Sequence, residues 1–179
     1  MKTQMRKTEQ DAGIERSQDL RLLTLYRACH ANAGELLHEA EVLFNRSRFA
    51  RALFLALTAY EELGKAQIVA DYYSGCVSRA EFDAAFHDHK TKLAFNDRCL
   101  SVPPGELDYD PASAADLWRE RQESLYVHLG QDHTPVIPGI RVTENQAREM
   151  INNVKDIFGA ILGSEWLNAP HVGSKALFK

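Results

Sequence analysis

The sequence predicts an all-α antiparallel bundle of four or five principal helices, on three observations. Apolar residues recur at three- and four-residue intervals in almost every long segment, which is the repeat of a helix with one buried face. Capping residues stand at several joints between those segments. No alternating strand series and no glycine-rich phosphate loop interrupts them, so an α/β enzyme fold is disfavoured.

The first helix is predicted over about 16–44, where Leu22, Leu25, Tyr26, Cys29, Ala33, Leu36, Leu37, Ala40 and Leu43 keep the helical interval. Asn45, Arg46 and Ser47 make a short break, and Ser47 is placed to cap a second helix over about 48–73. That helix carries the stripe Phe49, Leu53, Ala56, Leu57, Tyr60, Leu63, Gly64, Ile68 and Tyr72, and Ser74 and Gly75 end it. Ser78 with Glu81 three residues on is a capping-box signature for a third helix reaching about Asn96. Short joints of this kind make neighbouring helices antiparallel. The stretch LSVPPGELDYDPAS reads as a loop, and Ser113 with Asp116 reads as the start of a fourth helix running from about Ala114 towards His128. A second loop holds Gly130, Pro135, Pro138 and Gly139, after which Thr143 caps a last helix over about 144–166. The organisation expected is a flexible segment 1–15, one helical domain over 16–167 and a loose tail 168–179.

Composition narrows the function classes. A chain of 179 residues with 45% hydrophobic and 26% charged residues can bury a core without staples, and a formal charge of -4 does not suit a general nucleic-acid coat. Any nucleic-acid contact must therefore be local. Cys29, Cys76 and Cys99 are odd in number and widely spaced, which supports neither a disulfide framework nor a zinc cluster and points to a reducing cytoplasm. The polar start holds no signal-peptide core, and the most apolar segment is interrupted by Arg51, Glu61, Glu62 and Lys65, so no membrane span is expected.

Chemistry must then come from polar residues on helices. In TAYEELGKAQ, Glu61 and Lys65 have the spacing of a surface ion pair, while Glu62 lies beside the apolar stripe of Leu55, Thr58 and Ala66. Either one acid faces inward, to meet a base from another helix or to orient a histidine, or both are solvated. Gly64 within this regular helix hints at close packing. FHDHKTK places His87 and His89 on different faces, a poor chelating pair, but His89, Lys90 and Lys92 form a small basic patch able to draw a phosphate. In WRERQESLYVHLG, Arg119 and Arg121 precede His128, and Arg121 and His128 are seven apart, one helical face if the helix continues. An Arg can neutralise a phosphodiester oxygen and a His can move a proton from a ribose 2′-hydroxyl. The plain alternative is an exposed Arg, a helix-end His and a packing Tyr126. Glu35 and His38, with Glu39, Glu62, His87 and His89 imagined nearby, also raise a helical carboxylate metal oxygenase, but the second Glu-x-x-His element of such bundles is missing.

On ALTAYEELGKAQ, FHDHKTK and RERQESLYVH, the chain resembles the AbiV-like branch of the HEPN superfamily, helical proteins of bacterial abortive infection against phages. The resemblance implies a HEPN-like bundle, a homodimer and metal-independent cleavage of RNA in a composite site where two copies bring their Arg/His sets together, with no cofactor. Many HEPN nucleases have an Arg, a polar residue and then a His; here Arg121, Gln122 and His128 match, with QESLYV between Arg and His. Arg121 would stabilise phosphate, His128 would transfer a proton, and Gln122 would support placement. Glu62, Lys65, His89, Lys92 and Tyr126 would form the surrounding shell. Gln122 departs from the usual Asn, Asp or His, and the spacing places His128 near a helix end before Gly130. The other function expected is a non-catalytic module that binds a phage protein or host regulator.

Overall fold

A computed structural model describes the chain over residues 2–74, 77–95 and 111–163, and its elements are all helical apart from one short hairpin. The proline-rich connection over 100–110, the end of the last helix at 166 and the tail from 168 lie outside the described residues, as do Cys76 and Cys99. The fold is an all-α bundle, as the periodicity requires.

Two long helices, α1 (Lys2–Phe44) and α2 (Phe49–Ser74), fold back on each other. Ser47 does not cap α2; it closes α1. Its φ is 57°, its N–H donates to Phe44 O at 2.9 Å, and the N–H of Arg48 donates to Leu43 O at 2.9 Å. This is the Schellman arrangement, which satisfies the last carbonyls of a helix through one left-handed residue. The sharp reversal lays α2 along α1.

α2 is buried on more than the single stripe expected of it. Ala52, Ala56 and Ala59 are inaccessible beside Leu53, Leu57 and Leu63, and the helix touches α1 and every later helix of the bundle. A helix with so few exposed positions belongs in the middle, and its alanines let neighbours approach closely. Each fully buried leucine contributes about 1.5–3 kcal/mol. The anchor of the molecule is therefore the helix that also carries Glu61.

The third helix predicted is two: α3 (Arg79–His87) and α4 (His89–Phe95). The Ser78–Glu81 capping box opens α3, and the helix stops because Asp88 is extended, at φ -93° and ψ 119°. The Asp88 carboxylate then caps α4, accepting from Thr91 N at 2.7 Å and Thr91 Oγ1 at 2.6 Å. The break re-aims His89 and Lys92.

α5 (Pro111–Leu125) starts earlier than Ser113, with proline at a first-turn position where its missing N–H costs nothing. It also ends earlier than expected: the last helical bond is Tyr126 N to Gln122 O at 2.9 Å, and His128 lies on a strand. Strands β1 (His128–Leu129) and β2 (Pro135–Val136) pair antiparallel, His128 opposite Val136. Asp132 Oδ1 holds the intervening turn by accepting from Thr134 N and Oγ1, and His133 takes the left-handed φ of 59°. The competing turn, with β-branched Val127 before it, terminates the helix. A short α6 (Pro138–Arg141) leads to α7 (Glu144–Gly163), opened as expected by Thr143, whose hydroxyl accepts from Gln146 N while Gln146 Oε1 accepts from Thr143 N. Ala147, Met150, Ile151, Val154 and Ile157 seat α7 in the core.

His30 of α1 is a packing residue. It is buried beside the rings of Tyr26 and Phe158, its Nδ1 has no hydrogen-bond partner, and burial pushes its pKa down to about 4. The unfolded chain takes up this proton near pH 6.5 and the folded chain does not. Stability is therefore complete above pH 6.5 and falls as pH drops towards 4, by about 2–3 kcal/mol at pH 4.5. Urea denaturation across pH 7 to 4.5 should show this slope in the wild type and its loss in His30→Leu; an equal slope in both would contradict the assignment.

Candidate functional site

Glu61 is a buried acid on the face of α2 shared with Phe54 and Leu57, its side chain only 5% exposed. Three basic side chains from two other helices meet it. His89 Nδ1 lies 2.8 Å and Lys92 Nζ 3.0 Å from Oε1, and Arg121 Nε lies 3.8 Å from Oε2. His89 and Lys92 are three apart on α4, hence on one face, which the Asp88 break turns towards α2. Lys92 is as buried as Glu61. Burial alone would raise the Glu61 pKa, but hydrogen bonds from Lys92 and His89, reinforced by their charges, hold it below the usual carboxylate range. The acid is therefore ionised at neutral pH, and the group Glu61, Lys92 and Arg121 retains one net positive charge even with His89 neutral.

Arg121 approaches from α5. Its guanidinium carbon sits 5.0 Å from the Phe54 ring centroid and 5.2 Å from that of Trp118, both within cation–π range. Trp118 also stacks on His89, with centroids 4.8 Å apart and planes 19° apart. Arg121 Nε and Glu61 Oε2 are buried without hydrogen-bond partners, so this edge of the cluster is held by charge and stacking. A guanidinium so placed has a fixed plane and its remaining N–H donors uncommitted to Glu61.

The other expected site residues are distributed differently. Lys65 pairs with Glu62, three residues back, and not with Glu61. That pair acts electrostatically on the buried Cys29 of α1, whose thiol burial and the Glu62 charge push up to about 11, so it faces α1 and stands apart from the Arg121 cluster. Gln122 is half-buried and Tyr126 is exposed. His128, half-buried on β1, does not share a helical face with Arg121; its Nδ1 lies 3.4 Å from the Tyr126 carbonyl. Arg119 pairs with Asp116 in solvent. Glu35, His38, Glu39 and His87 are exposed, and among the described residues no three His, Cys, Asp or Glu side chains form a group able to hold a metal ion. Sequence reasoning does not single out Glu61 as the hub, nor Phe54 and Trp118 beside it; the signal for them is the three- and seven-residue spacing of Trp118–Arg121, His89–Lys92 and Phe54–Glu61.

Around His128 the surface is apolar. Tyr126, Val127, Leu129, Ile137 and Ile140 are all exposed, Ile140 at 79%. Beside them a hollow of about 360 Å³ is lined by Arg48, Phe49, Arg51, Ser124, Val127 and Pro138, two arginines among them. No helix among the described residues is long and apolar enough to cross a membrane.

Compared with protein-family models, residues 21–159 match the HEPN family described as AbiV. Comparisons with curated proteins and with solved structures give no match. The matched span contains all of the cluster around Glu61 and the whole hairpin.

Proposed function

Because the chain belongs to the AbiV family of the HEPN superfamily, we propose that it is an abortive-infection protein that cleaves RNA, without a metal, at a site completed by a second copy of itself. The observation that carries this reading is Arg121, a guanidinium clamped by two rings and a buried carboxylate inside a cluster of net positive charge. Such a group presents donors to a phosphodiester and stabilises the charge that grows on it during attack by the 2′-hydroxyl. Lys92 adds to the same field, and Gln122 follows Arg121 at the position of the supporting polar residue. His128 is the proton-transfer residue. It lies on a hairpin whose exposed side chains are those that an isolated chain would rather cover, which favours pairing of two copies there. The reaction takes place in the cytoplasm, where its substrate is.

The test is single-turnover cleavage of single-stranded RNA by the wild type and by an Arg121→Ala/His128→Ala double variant purified in parallel. Turnover is expected in the wild type and lost in the variant, with helicity and dimer mass unchanged. Equal turnover in both would assign the cleavage to a contaminant. The exposed hairpin and the neighbouring hollow also favour a second reading, a non-catalytic module for a phage protein or host regulator. That reading predicts no turnover above the double variant, together with partner capture that survives both substitutions.

A further inference from the structure

His89 has a geometry that a packing residue does not need. Its Nδ1 edge is pinned to the buried Oε1 of Glu61 at 2.8 Å, its ring plane is set by Trp118, and its side chain is still 49% exposed. An ionised carboxylate only accepts, so Nδ1 carries the proton and the lone pair of the neutral ring falls on Nε2, on the edge away from Glu61. Lys92 and Arg121 meet the same carboxylate, and their charge draws a phosphodiester to this face of the bundle, where the exposed ring of His89 is the part of the cluster open to it. His30, by contrast, is buried with its Nδ1 unpartnered, and His87 is exposed and meets the Phe86 ring edge-on.

Resting on the RNA-cleavage reading above, we propose that His89 is the base that takes the proton from the attacking ribose 2′-hydroxyl, with Glu61 as its positioning residue. The O2′ proton passes to Nε2 as the O2′–P bond forms. The P–O5′ bond breaks, and the departing O5′ receives a proton from the His128 imidazolium. The products are a 2′,3′-cyclic phosphate and a 5′-hydroxyl, and exchange with water returns both rings to their starting states. The Glu61 carboxylate keeps the tautomer fixed and stabilises the imidazolium that forms on His89.

Single-turnover cleavage by wild type, His89→Ala, His89→Asn and His128→Ala tests the assignment, on ordinary RNA and on RNA whose scissile 5′-oxygen is sulfur, a leaving group that needs no proton. Asn at 89 offers Glu61 an N–H near the place of Nδ1 and has nothing at Nε2, so it separates folding from chemistry. Both His89 variants are expected to cleave either substrate about 100-fold more slowly or worse, with RNA affinity within about threefold of wild type. His128→Ala should be slow on ordinary RNA and recover on the sulfur substrate. The proposal is overturned if His89→Asn cleaves like wild type, if His89→Ala recovers on sulfur, or if its loss of rate follows loss of RNA affinity. Wild type that cleaves no better than the Arg121/His128 double variant overturns the RNA-cleavage reading itself, and the role of His89 with it; that outcome is read without either His89 variant.

Discussion

Replacing Glu61 by Gln is expected to destabilise the fold by about 3–5 kcal/mol, the usual cost of removing one partner from a buried ion pair. The substitution leaves Lys92 as buried as before, with Arg121 beside it and, among the described residues, no other anion paired with either. Polar volume is conserved, so the loss reports charge and not a cavity. Urea denaturation of the wild type, Glu61→Gln and a Glu61→Leu/Lys92→Met double variant would measure it. The double variant removes the two most deeply buried charges and should recover much of the loss, because apolar residues of similar volume replace buried pairs at little cost. The acid limb gives an independent check. A carboxyl held below its unfolded pKa contributes fully above about pH 4.5 and loses that contribution as pH falls through its folded value, so Glu61→Gln should flatten the profile below pH 4.5. This window lies below the one assigned to His30, whose contribution falls mainly between pH 6.5 and 4.5. A loss under about 1 kcal/mol would mean that Glu61 is solvated and clamps nothing.

The parts of this molecule that depend on local chemistry are legible in its sequence. The Ser78–Glu81 and Thr143–Gln146 boxes close within four residues, and α1, α2 and α7 repeat their apolar residues over many turns. The Asp88 break is equally local, since a cap with Thr91 needs only D-x-x-T, but the helical spacing of Phe82, Ala85 and Phe86 with Leu93 and Ala94 runs across it and conceals the change of axis. Ser47 illustrates a different ambiguity. A polar residue between two helices serves either end, and only its left-handed φ assigns it to the first.

The acid of the site depends on information from far along the chain. Glu61 and Glu62 are adjacent, about 100° apart around the helix, and Lys65 stands four positions on from the first and three from the second. Which one faces the interior depends on where α4 and α5 lie, and the contacts that decide it join residues 28 and 60 positions apart. His128 shows the same limit in reverse. Seven residues from Arg121 is two helical turns only while the helix lasts, and the hairpin with Val136 takes His128 out of it.

For Arg121 the expected effect is on rate more than on stability, which separates its role from that of Glu61. Arg121→Ala removes the guanidinium that lies between Phe54 and Trp118, yet leaves Glu61 paired with Lys92 and His89. No buried charge is orphaned, and the cost in folding should stay at about 1–2 kcal/mol, the worth of lost cation–π contacts and packing. The rate of RNA cleavage should nevertheless fall about 10²–10³-fold, as when a donor aimed at developing charge is deleted from a site that is otherwise intact. Arg121→Lys discriminates further. It keeps the charge and so should bind RNA nearly as well, but a point charge on a flexible stem neither fills the place of the planar cation beside Phe54 and Trp118 nor offers paired donors, and most of the rate should remain lost. Denaturation midpoints and single-turnover rates of these variants and Glu61→Gln, taken together, settle the division. If Arg121→Ala unfolds as readily as Glu61→Gln, or cleaves as fast as wild type, the guanidinium is a structural partner of the carboxylate and the phosphate is bound elsewhere.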